Sequence, residues 1–255
     1  MSISLVQILG VSIAIGIRLT GIMLFAPFFG SPVIPARFKA LMVISITALL
    51  YPVLSSKIPR MDMSQWPMMA LTELLIGMAL GIATNIVFDG VQMAGQILSI
   101  QMGYSLINIL DPQTMVDSTV VATFHQIVVL LIFLRLNVHL WILSALAHSF
   151  DYLPPATGHI AAPFASAALR AGAAVFAIGV QIAAPVLSAT LFADIALGLL
   201  GKASPQLPLI LLGPAVKSVL GILVLMSALA YWPDLFSSLF VRSMVTADHL
   251  LHLAQ

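Results

Sequence analysis

Cysteine is absent from this chain of 255 residues, and its absence excludes disulfides, cysteine-ligated zinc and thiolate catalysis. Charged residues are also scarce, at 7% of the sequence, where a soluble domain has about 25%. Hydrophobic residues make up 61% and the mean hydropathy is +1.12, so there is too little polar surface to cover a globule in water. The composition therefore predicts a polytopic membrane protein.

Three further features of the sequence limit the classes of protein to which the chain can belong. The N-terminus lacks the basic region and small-residue cleavage site of a secretory signal, so we expect the first apolar segment to remain in the protein. The ten basic residues are scattered rather than patched, which argues against a nucleic-acid partner. No polar run is long enough for a soluble domain, and the sequence predicts a single integral membrane domain over residues 1–255.

Six apolar stretches reach the length of about 17–25 residues that crosses a bilayer. They are Leu5–Phe29, Phe38–Leu54, Pro67–Phe88 with an extension toward Ile100, Ser118–Phe150, Ala165–Leu200 and Leu209–Trp232. The tail that follows, Pro233–Gln255, is weakly amphipathic, and we expect it to lie at the membrane surface.

Two of these stretches are too long for a simple crossing. Ala165–Leu200 would reach about 54 Å as one helix, against a hydrocarbon core of about 30 Å, and Pro185 lies near its middle, where a helix kinks or breaks. Ser118–Phe150 has an arginine and a histidine near its centre, which are costly at bilayer depth, so we expect two helices that meet at a turn near Asn137. These features predict an all-α membrane protein, a bundle of long, broken transmembrane helices arranged as helical hairpins.

Lysine and arginine are missing from the whole stretch between Met61 and Leu134. Near its centre lies Gln101–Gln113, a mildly polar segment with a helix-breaking glycine and an Asp-Pro step. Broken backbone between membrane helices is tolerated only where protein or a water-filled cavity satisfies its polar groups. We therefore expect this segment to line or close a passage, and the positive-inside rule favours the non-cytoplasmic side for it.

The helix that leads into this segment carries two patterns. Gly77 and Gly81 fit the small-xxx-small spacing that lets membrane helices approach closely. Four polar residues at spacings of four, three and four form one stripe on the helix: Asn85, Asp89, Gln92 and Gln96. A buried seam against other subunits and a pore-facing surface explain this polar stripe equally well.

Ionisable residues inside membrane segments are functional candidates. Arg18 and Glu73 have opposite signs and lie in different apolar stretches, and a structural ion pair, or pairing with a partner subunit, is favoured over a substrate role. Asp194 has no second acidic residue nearby in the sequence, so a hydrogen bond between packed helices is favoured over a proton relay.

The motifs of energy-coupling and hydrolytic chemistry are missing. Gly201-Lys202 is followed by Ala203, which breaks the Walker A pattern. No His-Glu-x-x-His occurs, and Gly103-Tyr104-Ser105 is followed by Leu106 where an intramembrane serine protease has glycine. The sequence therefore predicts no enzyme, no catalytic residue, no bound metal and no cofactor.

Ordered sequence blocks resemble the FliR/SctT family of type III secretion export-gate subunits. The blocks cover nearly the whole chain, and they are Ala26-Pro27 with Ile34–Arg37, Glu73–Gly81, Ala94-Gly95-Gln96 with Gln101-Met102-Gly103 and Asp111-Pro112, Asn137–Leu140, and Asp194–Leu200 with Ala203–Gln206 and Gly213-Pro214. Val138 stands where the family usually has glycine, and Gln96 replaces an acidic residue common in the family.

The resemblance implies a structural, multi-pass protein of the bacterial inner membrane and the flagellar basal body. Members of the family assemble with FliP and FliQ into an export gate on which FlhB docks, and unfolded flagellar proteins pass through its channel. The implied partners are thus FliP, FliQ, FlhB, these export substrates and membrane lipid. A loop at the matching position plugs the channel in the family, which here implies Tyr104, Leu106, Ile107, Asn108, Ile109, Leu110, Asp111 and Pro112.

Two other functions remain open at this point. A stand-alone secondary transporter would have paired, interrupted helices and a midplane ion site; Pro185 fits that pattern, but the two halves of the chain show no convincing repeat. The equivalent subunit of a virulence type III secretion system belongs to the same family.

Overall fold

The computed structural model of the chain describes residues 5–27, 29–30, 34–59, 63–104, 120–155, 162–206 and 208–252. Within these ranges the chain forms α-helices joined by turns and two short 3₁₀ segments, and it has no β-strand, so the predicted all-α class is confirmed. The helices are α1 (Leu5–Phe25), α2 (Ala36–Leu54), α3 (Trp66–Gln101), α4 (Val120–Arg135), α5 (Val138–Tyr152), α6 (Ala162–Ala203), α7 (Leu209–Ala228) and α8 (Trp232–His252).

Membrane-spanning length is common among the described helices. Five helical stretches are long and apolar enough to cross a bilayer, and the bent pair of α4 and α5 makes a sixth if it is counted as one span. α3 has 36 residues and α6 has 42, which correspond to about 54 Å and 63 Å at 1.5 Å per residue. Both helices are therefore longer than a hydrocarbon core of about 30 Å.

Prolines mark where several of these helices begin. Pro35 and Pro208 directly precede α2 and α7, while Pro67, Pro163 and Pro233 are the second residues of α3, α6 and α8. The first N–H groups of a helix have no partner inside it, and the fixed φ of proline suits the first turn. Proline at these positions therefore starts a helix without costing a hydrogen bond.

The predicted break between two helices near Asn137 is confirmed. α4 and α5 are bent by 62° relative to each other, and Asn137 lies between them with φ 55° and ψ 29°, in the left-handed region. Asparagine adopts this conformation more readily than most residues that carry a Cβ atom. The left-handed residue is thus the one before Val138, so the missing family glycine at position 138 places no strain on this turn.

Of the kink or break expected at Pro185, a break does not occur, because α6 continues through this residue. Pro185 lies on the exposed face of the helix, whereas its neighbours Ile182, Ala183 and Val186 are buried. Membrane helices tolerate proline when local adjustments and nearby hydroxyl groups compensate for the missing backbone bond. The packed face of α6 therefore stays continuous past the proline.

The chain divides into two compact units, each built from separate stretches. The first comprises Met1–Ile86, Phe133–Gly172 and Phe240–Gln255, and the second comprises Val87–Ile132 and Ala173–Leu239. α3, α6 and α8 each contribute residues to both units. The single membrane domain expected for the chain remains a prediction.

In the first unit, glycines let α1 and α3 approach closely. A Cβ atom at Gly21 would lie 2.6 Å from the carbonyl oxygen of Leu74, and one at Gly77 would collide with the carbonyl oxygen of Arg18. One at Gly81 would lie 2.9 Å from the carbonyl oxygen of Ile22. The helix that packs against the predicted small-xxx-small pattern of α3 is therefore α1.

In the second unit, α3 packs closely against both α4 and α6. A Cβ atom at Gly95 would collide with Ala122 of α4, and one at Gly90 would collide with the side chain of Ile178 of α6. Both contacts leave room only for hydrogen, so the backbone of α3 is held tightly along this stretch.

The predicted C-terminal tail, Pro233–Gln255, is helical over its described part. Phe236 and Phe240 of α8 are fully buried, and Phe240 contacts Phe133 edge-on at a ring separation of 5.7 Å. One face of this helix is therefore packed, and its association with the membrane surface stays a prediction.

Candidate functional site at the end of α3

α3 ends in a turn that stops the helix by backbone geometry alone. The N–H of Tyr104 donates to the carbonyl of Ser99 at 2.9 Å, and the N–H of Gly103 donates to that of Ile100 at 3.1 Å. Gly103 itself has a left-handed backbone conformation, with φ 84°. These two hydrogen bonds and the left-handed glycine form a Schellman motif, which ends α3.

Steric fit holds this turn against α7. A Cβ atom at Gly103 would lie 2.8 Å from the Cβ atom of Pro214, and one at Gly221 would lie 2.8 Å from Cγ of Met102. Met102 is 1% exposed. At Gly103 glycine is required for two reasons, because the proline ring is rigid and because the left-handed φ disfavours a side chain, whereas at Gly221 the flexible Met102 side chain would have to move.

Polar contacts tie the same turn to α6 and α7. The hydroxyl groups of Tyr104 and Ser218 are 2.7 Å apart. Gln101 Nε2 donates to Asp194 Oδ2 at 3.2 Å, and Lys217 Nζ lies 3.0 Å from Asp194 Oδ1. Asp194 of α6 thus accepts from α3 with one oxygen and from α7 with the other.

The structure thereby gives Asp194 a partner that the sequence analysis missed. Asp194 was expected to make a hydrogen bond between packed helices rather than to relay protons; it makes that bond with Gln101, and it also forms an ion pair with Lys217. The rule that marked Arg18 and Glu73, an ionisable residue inside an apolar stretch, applies equally to Lys217 at the middle of α7 and would have found it.

The predicted plug residues lie mostly beyond this turn. Tyr104 is described, and Leu106, Ile107, Asn108, Ile109, Leu110, Asp111 and Pro112 lie outside the described residues. Their role in closing a channel stays a prediction, whereas the geometry of the turn that precedes them is given by Gly103, Tyr104 and their contacts on α7.

The polar stripe lies on α3, as its spacing predicts. Asp89 and Gln96 are exposed, and Asn85 and Gln92 are partly buried. One turn further, the hydroxyl group of Ser99 is buried and donates to the carbonyl of Gly95 at 2.7 Å. The stripe therefore runs from partly open positions toward the packed end of the helix, and its assignment to a pore or a subunit seam remains a prediction.

Arg18 and Glu73 form an ion pair in the first unit. Arg18 Nε lies 2.6 Å from Glu73 Oε2, and Nη2 lies 2.9 Å from Oε1, a two-bond fork with both side chains 0% exposed. Arg18 also donates to Ser149 Oγ at 2.7 Å and to the carbonyl of Leu153 at 2.9 Å, and its Cζ lies 3.8 Å from the centre of the Phe150 ring.

This buried cluster joins α1, α3 and the end of α5. Four of the five guanidinium N–H groups have an acceptor, and the Phe150 ring covers the flat face of the group. With no solvent access and four of its five donors occupied, Arg18 and its cluster fit a structural role rather than substrate contact, which is the role that the sequence favoured.

Comparisons with known proteins place the chain in a family. A family model described as bacterial export proteins, family 1, matches residues 9–243. The chain is 31% identical over 231 residues to the flagellar biosynthetic protein FliR of Escherichia coli (strain K12), with 88% of this chain and 87% of the relative covered. It is 30% identical over 224 residues to FliR of Pectobacterium carotovorum subsp. carotovorum, covering 88% and 86%.

A more distant relative matches almost end to end. The chain is 26% identical over 256 residues to the flagellar biosynthetic protein FliR of Bacillus subtilis (strain 168), with 98% of each chain covered. The resemblance found in the sequence blocks is thereby confirmed. The chain belongs to the FliR family of bacterial export proteins, whose members are structural subunits of the flagellar export apparatus.

Proposed function

We propose that this chain is the FliR-type subunit of the flagellar type III export gate in the bacterial inner membrane. In this proposal it forms with FliP and FliQ a channel through which unfolded flagellar proteins pass, and FlhB docks on the assembled gate. The family match over residues 9–243 is the observation that carries the proposal. The membrane-spanning lengths of the described helices support it.

The channel plug is proposed to follow the turn at the end of α3. Its support is that Gly103 and Tyr104 are fixed on α7 by a steric fit and a hydroxyl contact, so the chain leaves α3 from a defined point. The residues proposed to close the channel are the apolar ones from Leu106 to Leu110, because apolar side chains can gate a pore by excluding water.

The polar stripe on α3 is proposed to face other gate subunits or the channel. Gln96 is exposed on a helix whose other faces are largely apolar, and an exposed polar group at membrane depth requires a polar neighbour or water. Either environment is provided inside an assembled gate and neither is provided by lipid.

A stand-alone transporter is less well supported. Its proton or ion site would need a carboxylate poised for exchange, whereas Asp194 already accepts from Lys217 and Gln101. A virulence secretion system is a weaker alternative because the relatives described above are flagellar.

Assembly is tested by expressing the chain with FliP and FliQ and purifying it through an affinity tag on this chain. We expect both partners to co-purify in a complex that survives size-exclusion chromatography. A chain that elutes alone, although folded and membrane-inserted, would remove the export-gate proposal.

Closure is tested in the same complex by deleting Leu106–Leu110. We expect the complex to assemble and the membrane to leak small ions, measured as loss of a potassium gradient in reconstituted vesicles. The control is the unaltered complex, which should hold the gradient. An equally tight deletion variant would rule out the plug while leaving assembly untouched.

A further inference from the structure

The end of α3 is attached to its neighbours by contacts that do not involve charge and by contacts that do. The uncharged attachment consists of Met102 against Gly221, Gly103 against Pro214 and the hydroxyl contact of Tyr104 with Ser218. The other is electrostatic, through the chain of contacts from Gln101 to Asp194 to Lys217. The first does not depend on charge, and the second depends on one carboxylate.

Asp194 is the shared acceptor of that electrostatic attachment. Its two oxygens are divided between two helices, Oδ1 for Lys217 of α7 and Oδ2 for Gln101 of α3. Removing the negative charge would therefore affect both contacts together. A lysine in the apolar sequence of α7 would also lose the group that offsets its cost there.

The pair is partly exposed on the surface of the chain, whereas the buried ion pair is fully enclosed. The side chains of Lys217 and Asp194 are 19% and 42% exposed. Where this surface meets the water or the charged groups of an assembled gate, such a pair is weak and is easily replaced by water or another charge. The Asp194–Lys217 contact lies beside the Met102–Tyr104 turn, and it can break while the helices that carry it stay folded.

We propose that Asp194 and Lys217 form a releasable clasp that positions the end of α3 on α7. When the pair is intact, Gln101 is held by Asp194 and the Met102–Tyr104 turn sits against Pro214 and Ser218. When the pair is broken, the turn leaves α7 more often. The effect of the clasp on ion leakage rests on the proposed function, whereas its effect on the position of α3 does not.

The position of α3 is measured by a disulfide between Met102→Cys and Gly221→Cys. A Cβ atom at position 221 would lie 2.8 Å from Met102 Cγ, and Cγ is one C–C bond of about 1.5 Å beyond Cβ, so the two Cβ atoms are at most about 4.3 Å apart, below the upper limit of about 4.5 Å for a disulfide. The chain has no native cysteine to compete. Asp194→Asn should slow formation of this disulfide by roughly twofold to fivefold, the effect expected for losing a partly exposed pair.

A matched control comes from another methionine–glycine contact in the same unit. A Cβ atom at Gly179 would lie 3.1 Å from Met93 Cγ, at a place where α3 meets α6 away from the clasp. The disulfide between Met93→Cys and Gly179→Cys should form at the same rate with and without Asp194→Asn. Exchanging the charges, Asp194→Lys with Lys217→Asp, should restore the rate at the 102–221 pair.

Ion leakage completes the test in the complex with FliP and FliQ. Asp194→Asn should leak, the oxidised 102–221 disulfide should stop that leak, and a reductant should bring it back. If the Leu106–Leu110 deletion leaks and Asp194→Asn does not, the clasp has no part in closure and the proposed plug stands. If the deletion itself is tight, the plug fails, and an unchanged 102–221 rate in Asp194→Asn would then overturn the clasp independently.

Discussion

Two ion pairs of this protein differ in both burial and chemistry. Arg18 and Glu73 are 0% exposed and bonded through two atoms on each side, while Lys217 and Asp194 meet through one bond and are partly exposed. The buried pair has a guanidinium, whose planar fork matches a carboxylate, and the open pair has a lysine, which acts as a point charge.

The difference in burial indicates that the Arg18–Glu73 pair stays intact and that the Lys217–Asp194 pair can break. Breaking a buried pair leaves an uncompensated charge without water, which is severely destabilising. Breaking a pair at a surface that water reaches costs little, because water then solvates both groups. The Arg18–Glu73 pair therefore links α1, α3 and α5 stably. The Lys217–Asp194 pair fits a contact that can form and break.

The largest effect is expected from removing one side of the buried pair. Glu73→Ala leaves Arg18 charged among Phe150, Ser149 and the carbonyl of Leu153, and should lower the free energy of unfolding by about 3–5 kcal/mol. Thermal unfolding of the purified protein in detergent, followed by circular dichroism, measures the loss.

The control for this prediction removes both charges together. Arg18→Met with Glu73→Met leaves no buried charge and should be more stable than Glu73→Ala. A Glu73→Ala protein that melts like the unaltered one would mean that the pair does not carry the packing of α1 on α3, and the contrast with the open pair would disappear.

A smaller loss is expected where the helices that carry the buried pair touch. Gly77→Ala places a methyl group against the carbonyl of Arg18, so α1 must shift, at a cost of about 1–3 kcal/mol. Gly198→Ala is the matched control, because a Cβ atom there meets nothing within 4 Å, and it should be neutral or slightly stabilising. Equal melting of the two variants would show that α1 and α3 adjust freely, against the fixed role of this contact.

The sequence could identify these charges and favour a pairing, but it could not predict their full set of contacts. Arg18 and Glu73 stood out because each interrupts an apolar stretch, yet their separation of 55 residues carries no local pattern, and the carbonyl of Leu153 as a further acceptor follows from the fold alone. The break at Asn137 was predictable because charge and length both opposed a single helix. At Pro185 the sequence left a kink and a break open, because the effect of this proline depends on which face of α6 it occupies, and burial is not written in the local sequence.

The smallest stability effect gives the sharpest comparison, because it involves two partly exposed lysine–aspartate pairs, of which one also contacts the end of α3. Lys57 lies 2.6 Å from Asp151, with side chains 42% and 39% exposed, so Lys57→Gln and Lys217→Gln should each lower the free energy of unfolding by at most about 1 kcal/mol. Thermal unfolding alone therefore cannot distinguish these two variants. The 102–221 disulfide can: it should form more slowly in Lys217→Gln and at the unaltered rate in Lys57→Gln, because only Lys217 pairs with the carboxylate that also holds Gln101. If both variants slow it alike, loss of any ion pair loosens the chain, and the open pair on α7 has no special hold on the end of α3.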